Sequence, residues 1–249
     1  MSAVAWKAEE YDDQSAPHTE WAARIIDRLA LKGDETILDA GCGTGRLTKL
    51  LLDRLPTGRV IGVDASPQML ARAREHLGDE VELVEADLIG LELSEPVDAV
   101  YSSAVFHWIT DHEALFRSLH GALKPGGWLE AQCGGPNNIA EVERALDSLS
   151  GDERFAPYLR GEHRAWNYAS VSDTEERLRA AGFTEIRVWT EPWPVTPADP
   201  RSYLESVILP WHLDRLPGEL HPAFIDAVIS TAPRPLALNY VRLNLSARA

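Results

Sequence analysis

Apolar and polar positions alternate with two different periods along the chain, and the switches between the periods predict its elements. Residues 19–29 carry helical spacing, with Trp21, Ile25, Ile26 and Leu29 on one face. A β-like run at 36–40 follows, and after Gly45 the leucines 47, 50, 51 and 55 return to helical spacing. Residues 59–63 read as the next strand. Ser66 and Pro67 then supply an N-cap and a first helical position, and Gly78 supplies a stop. Residues 81–85 and 97–102 read as two further strands, and Asp111 caps a helix carrying Leu115 and Leu119. A fifth strand is predicted at 128–132, a sixth around Ile186, Val188 and Trp189, and a seventh at 236–245. Ser172 and Glu175 have capping-box spacing before the sixth strand, with Gly182 closing that helix.

Strands that alternate with helices in this way predict an α/β fold, a mostly parallel sheet with helices on both faces. Two stretches break the alternation, 137–171 and 192–235. The second holds nine of the 16 prolines, so bent, short helices are expected there. Both stretches leave the sheet near strand ends, where open α/β sheets bind ligands. The organisation expected is a single domain over 1–249, with an N-terminal helical lid at 1–35, a cofactor-binding core at 36–136, and the two stretches as insertions that cap the substrate.

Composition narrows the partners. Twenty-four Lys and Arg against 39 Asp and Glu leave a net charge of −15, which repels phosphate backbones and anionic lipid. No nucleic-acid or membrane partner is therefore expected. The first 13 residues carry Glu9, Glu10, Asp12 and Asp13 and do not read as a secretory signal. Two cysteines, Cys42 and Cys133, cannot build a disulfide framework, and no Cys/His cluster has metal spacing. A soluble, cytoplasmic, metal-free protein, a monomer or homodimer, is the expectation.

The densest chemistry lies at residues 37–45, a strand that runs into Gly41, Gly43 and Gly45 and then a helix. Glycines let the chain turn sharply and a ligand touch the backbone. Asp64 ends the following strand, 23 residues after Gly41, where a carboxylate can accept from both hydroxyls of a ribose. The dinucleotide pattern wants a small residue at the sixth position of the loop, and here that residue is Arg46. NAD, and with it an NAD-dependent oxidoreductase, is disfavoured. No phosphate-loop motif is present.

The segment Leu38-Asp39-Ala40-Gly41-Cys42-Gly43-Thr44-Gly45 resembles motif I of class I S-adenosylmethionine-dependent methyltransferases. Asp64 matches their motif II acid, Ala86-Asp87-Leu88 their adenine motif, and Leu123 to Leu129 the turn before their fifth strand. The resemblance implies a Rossmann-like seven-stranded sheet with an antiparallel last strand. It also implies S-adenosylmethionine as methyl donor, leaving as S-adenosylhomocysteine. By that likeness Gly41 and Gly43 line the methionine part, Asp39 lies near its amino group and Asp64 holds the ribose. Ala65 and Met69 pack by the adenine, whose amino group donates to Asp87. Cys42, Gly45, Leu88, Ser103, Trp108 and Tyr11 complete the implied cofactor set.

Residues 103–108, Ser-Ala-Val-Phe-His-Trp, resemble the corresponding loop of trans-aconitate methyltransferase-like proteins and, more loosely, of malonyl-carrier-protein methyltransferases. Both groups esterify carboxylates. The implied function is methyl transfer to a small molecule, with a carboxylate the acceptor the resemblance suggests, by in-line displacement with little acid–base help, because an ionised carboxylate has no proton to lose. The amino-group methylation signature and a Pro-Cys nucleophile are both absent after strand four. His107 is the candidate base. Trp6, His107, Arg160, Arg164, Trp166, Trp211 and Tyr240 are the candidate acceptor residues, the two arginines as an anion clamp. A non-catalytic domain that binds the cofactor or a protein partner is the competing reading.

Overall fold

Among the described residues six strands run in one direction and the seventh, the last in sequence, runs against them. In the computed structural model, β1 (Thr36–Ala40) pairs with β2 (Arg59–Asp64) and β4 (Val97–Ser103), β2 with β3 (Glu82–Glu85), and β4 with β5 (Leu123–Gly134), all in parallel. Antiparallel to its neighbours, β7 (Leu238–Arg248) lies between β5 and β6 (Thr184–Val195). The order is β3-β2-β1-β4-β5-β7-β6. The structure describes residues 8–14, 16–159, 165–232 and 236–249, and their side chains except those of residues 11, 13, 14 and 16–20.

The helices in chain order are α1 (Ala8–Gln14), α2 (Ala16–Ile26), α3 (Arg46–Leu52), α4 (Pro67–Leu77), α5 (His112–Ala122), α6 (Ala140–Leu149), α7 (Ala156–Leu159), α8 (Val171–Ala180), α9 (Pro200–Tyr203), α10 (Pro210–Leu213) and α11 (His221–Thr231). Capping places several of them as expected. The Ser66 hydroxyl accepts from Met69 N–H at the start of α4, and Asp111 accepts from Ala114 N–H at the start of α5. One cap differs. The N-cap of α8 is Ser170, whose hydroxyl accepts from Asp173 N–H at 3.0 Å, because its extended backbone lets the side chain turn back over the first turn. Ser172 already lies inside that helix.

The expected 19–29 helix begins and ends three residues earlier, at Ala16 and Ile26, with Leu29 still buried in the turn that follows. The sheet is larger than its apolar runs suggest. Pairing with β7 extends β5 to Gly134, opposite Arg242. The sixth strand continues through Pro192 and Pro194 to Val195, so the second irregular stretch begins later than residue 192. Prolines are tolerated there because β6 is the sheet edge.

One apolar cluster covers the sheet face under α5 and α8 (Val100, Phe116, Leu119, Leu245) and another the opposite face under α2 and α3 (Ile25, Ile37, Leu51, Val60). A third joins α6, α11 and the prolyl segment above the strand ends, around Val142, Phe155, Tyr203 and Phe224. Between α9 and α10 the chain makes a π-helical stretch, Leu204–Ile208, an irregularity often found at functional sites.

Candidate active site

Two sub-sites meet at the carboxyl ends of β1, β4 and β5. The first is built by the glycine loop. Gly41, Gly43 and Gly45 all have positive φ, at 86°, 56° and 79°. A Cβ on Gly41 would fall 2.3 Å from Val105 Cγ2, and one on Gly45 would fall 2.6 Å from Leu77 Cδ1. Close helix packing is thus made at the fifth loop position. That frees the sixth, Arg46, whose guanidinium donates to the Asp12 carbonyl at 2.8 Å. A Cβ on Gly43 would meet nothing within 4 Å, so the space beside its Cα is open.

Two carboxylates face this loop. Asp39 is 2 % exposed and accepts from the Thr48 hydroxyl at 2.7 Å. Burial, with the Asp64 charge nearby, lifts its pKa to about 7. Asp64 accepts from Gly43 N–H at 2.9 Å and Ser66 N–H at 2.8 Å, and burial raises its pKa as well. Two desolvated acids next to a glycine cradle fit a ligand that brings an ammonium group and ribose hydroxyls. The residues present therefore suit S-adenosylmethionine. Asp12 on α1 closes this side, taking a hydrogen bond from Thr44 and facing Arg72 at 3.5 Å and His76 at 3.7 Å.

The other residues expected at the cofactor are distributed more widely. Met69 is buried in the first turn of α4, and Ala65 is exposed just before it. Asp87 is exposed and caps its own turn through Ile89 N–H. The Leu88 side chain is packed in the main core, which leaves only its backbone for a ligand. The thiol of Cys42 is pushed far up by burial and the two acids and does not ionise. Ser103 is buried at the end of β4. Trp6 and the side chain of Tyr11 lie outside the described residues.

The second sub-site is a cleft with about 390 Å³ of empty space, its open mouth included. His107, Trp108, Trp166, Tyr168, Tyr240 and Arg242 line it. Trp108, expected at the cofactor, stands here, its ring 5.3 Å from His107 and 6.0 Å from Trp166. Trp166 and Tyr168 stack at 5.6 Å with 12° between their planes. Two non-glycine residues with left-handed backbones, Ala104 (φ 62°) and Ile139 (φ 46°), also line the cleft. For a β-branched residue that conformation is a true outlier, the kind of strain that collects at functional sites.

Arg242 is the charge in this cleft that sequence reasoning missed. Its side chain is 1 % exposed and its Nε donates to Gln132 at 3.2 Å. Its Nη2 has no hydrogen-bond partner among the described residues, and it makes no ion pair there. Burial pulls its pKa down, against the opposing thiol of Cys133 and phenols of Tyr240, Tyr203 and Tyr168. Guanidinium remains a cation under such conditions, so a desolvated positive charge waits in an aromatic cleft. An alternation of Tyr240, Arg242, Asn244 and Ser246 along β7 was the available signal.

His107 and Tyr240 are brought together with Trp166, as expected. Trp211 is not. Its ring lies 3.3 Å under the Arg215 guanidinium, because the single turn of α10 that buries His212 and Leu213 turns Trp211 away. Arg160 and Arg164 lie outside the described residues. His107 Nδ1 accepts from Gly134 N–H at 3.2 Å, so that lone pair is not available to a base. Cys133, with its pKa pushed by burial to about 12, is no nucleophile.

Known proteins place the chain among relatives. Residues 37–127 match the methyltransferase domain family. A trans-aconitate 2-methyltransferase of Methylobacterium nodulans is 32 % identical, over 98 % of both chains. Another, of an Azoarcus species, is 31 % identical over 89 % of this chain and 87 % of its own. The structure of an S-adenosylmethionine-dependent methyltransferase from Mesorhizobium loti, 26 % identical, superposes with a TM-score of 0.56 over 93 % of this chain and 98 % of that one.

Proposed function

We propose, for a chain that belongs to the S-adenosylmethionine-dependent methyltransferases together with the trans-aconitate 2-methyltransferases, that its acceptor is a small carboxylic acid, esterified as its anion in the aromatic cleft. Arg242 carries this reading. A guanidinium that is 1 % exposed and lacks an ion-pair partner among the described residues is costly unless an anion completes it. Carboxylate is the anion whose two oxygens match the guanidinium fork. Trans-aconitate, the substrate named for the relatives, is the first acceptor to try.

The cofactor supplies an electrophilic methyl group on a sulfonium. The work left to the chain is alignment, water exclusion and charge neutralisation. Asp39, Asp64 and the open backbone at Gly43 hold the cofactor side, and Met69, Asp87 and Ser103 flank it. Arg242 seats the acceptor, and Trp108, Trp166, Tyr168 and Tyr240 shield it from water. No base is needed, since a carboxylic acid is already ionised at neutral pH.

The remaining expectations belong to the same reading. A net charge of −15 suits a small anionic acceptor held by a local cation better than a nucleic acid. No helix among the described residues is long and apolar enough to cross a membrane. The enzyme acts in the cytoplasm, as a monomer or homodimer, without a metal. Arg160 and Arg164 are further anion contacts to be tested by substitution. The decisive experiment is Arg242→Met assayed with small carboxylic acids. Loss of esterification with cofactor affinity kept supports the reading, and esterification equal to wild type refutes it.

A further inference from the structure

Two arginines are held by the same pair of strands, one by a carboxylate and the other by an amide of the same size. Residues 130 and 132 of β5 are two apart and so share a face of the sheet, with Ser246 and Asn244 of β7 set across from them. Arg28, in the turn after α2, donates through Nε to Glu130 at 2.8 Å, and Glu130 also accepts from the Ser246 hydroxyl. Arg242 donates through Nε to Gln132 at 3.2 Å. Both acceptors are buried, Glu130 to 2 % exposure and Gln132 to 1 %. The construction is the same at both arginines, but only the first has its charge cancelled.

The amide at position 132 has one orientation. A guanidinium can only donate, so Asn244 must offer its oxygen to Arg28 Nη1, at 3.0 Å. Gln132 Nε2 donates to that same oxygen at 2.8 Å, which leaves Gln132 Oε1 for Arg242 Nε. The relay Arg28–Asn244–Gln132 thus fixes the guanidinium of Arg242, which lines the cleft and whose Nη2 has no hydrogen-bond partner among the described residues. We infer that Gln132 is a positioning residue that sets the acceptor specificity of the cleft: its neutral carbonyl orients Arg242 without cancelling the charge, which the carboxylate of the acceptor then completes. The inference rests on the carboxylate reading of the cleft. A carboxylate at 132 would orient Arg242 equally well, as Glu130 does for Arg28, but it would neutralise the cation and repel an anionic acceptor. An amide there keeps one full positive charge in the cleft, which an anion completes and a neutral alcohol or amine does not.

The test compares Gln132→Glu, which exchanges the amide for a charge at constant size, with Gln132→Met, which removes the acceptor without adding one. Steady-state kinetics are measured with trans-aconitate, or with whichever small carboxylic acid the wild type esterifies, alongside melting temperatures and the affinity for S-adenosylhomocysteine. Gln132→Glu should raise KM for the acid about 100-fold, and Gln132→Met about tenfold through loss of one charge-assisted hydrogen bond. Because methyl transfer itself discharges the acceptor, kcat should move less than about fivefold in Gln132→Glu. Affinity for S-adenosylhomocysteine should stay within about twofold of wild type in both. A merely structural role would lower the melting temperatures and leave KM insensitive to the sign of the new charge. KM equal to wild type in Gln132→Glu, or a rise as large in Gln132→Met, would overturn the inference. If Gln132→Glu does not fold, Gln132→Met carries the test alone, and an unchanged KM in it is the contrary result. If the wild type esterifies no small carboxylic acid, the underlying reading fails and the inference with it. If it does so with dependence on Arg242 but without dependence on residue 132, only the inference fails.

Discussion

The Arg242 guanidinium lies 4.2 Å from the centre of the Trp21 ring, so its closest electrostatic compensation is the face of an indole and not a carboxylate. Cation–π attraction recovers only part of the desolvation cost of a buried cation. The same strand arrangement gives Glu130 to Arg28 at 2.8 Å, and Arg242 has no carboxylate partner among the described residues.

Arg242→Met should consequently lower kcat/KM for a carboxylate acceptor by about 100-fold or more, the loss of a buried ion pair. Its melting temperature should not fall, because an apolar side chain of similar length removes a buried charge. Calorimetry and steady-state kinetics on the same preparation check both halves. A large drop in stability would mean that Arg242 holds the fold together instead.

Two glycines separate folding from binding. Gly41→Ala forces a Cβ to 2.3 Å from Val105 in a left-handed conformation, so it should destabilise the protein strongly. Gly43→Ala meets no atom within 4 Å and should cost only the roughly 1–2 kcal/mol of left-handed backbone. It should nonetheless weaken binding of S-adenosylhomocysteine about tenfold or more, since its Cβ occupies ligand space. Thermal melts with and without S-adenosylhomocysteine distinguish the two.

Asp39 and His212 should impose opposite pH dependences on the ligand-free protein. The folded pKa of Asp39 is raised to about 7 from 3.8, so the folded state binds the extra proton between those values. Stability from this group is present below pH 3.8 and is lost as pH rises through 7. Burial lowers His212 to about 3 from 6.5, so its contribution is complete above pH 6.5 and is lost as pH falls towards 3. Asp39→Asn should flatten the loss towards pH 7, and His212→Phe the loss towards pH 3, in melts taken across that range. No change in either slope would sink the assignment.

The N-terminal helix is pinned to the glycine loop through Asp12, which faces Arg72 and His76 and takes a hydrogen bond from Thr44. Asp12→Ala should speed protease cleavage within α1 and raise the cofactor dissociation rate several-fold, as loss of a few polar contacts would. Unchanged cleavage and unchanged release would show that α1 is held by its apolar contacts.

Much of this arrangement is readable from local rules. The run from Thr36 to Gly45 declares a strand, a turn that needs positive φ and a helix; Ser66 and Asp111 mark helix starts by their side chains, and Gly78 marks a helix end by having none. Long-range pairing hid the rest. Nothing near Pro192 and Pro194 signals a strand, and only their position on the sheet edge permits one. Helix α1, Ala-Glu-Glu-Tyr-Asp-Asp-Gln, has no apolar stripe and is held by polar contacts to residues far away in sequence. Arg242 sits among apolar neighbours in a strand, and its meaning depends on Gln132, Trp21 and Gly134, which the sheet brings to it from over 100 residues away.

The central claim is that the chain turns a carboxylate into a methyl ester at Arg242. The most direct measurement incubates the enzyme with methyl-labelled S-adenosylmethionine and a set of small carboxylic acids, and then follows the label after mild alkali. We expect labelled product from at least one acid, released as methanol by base, and its disappearance in Arg242→Met with cofactor binding intact. Label that withstands alkali, on nitrogen, carbon or an alcohol oxygen, or esters formed equally well by Arg242→Met, would contradict it.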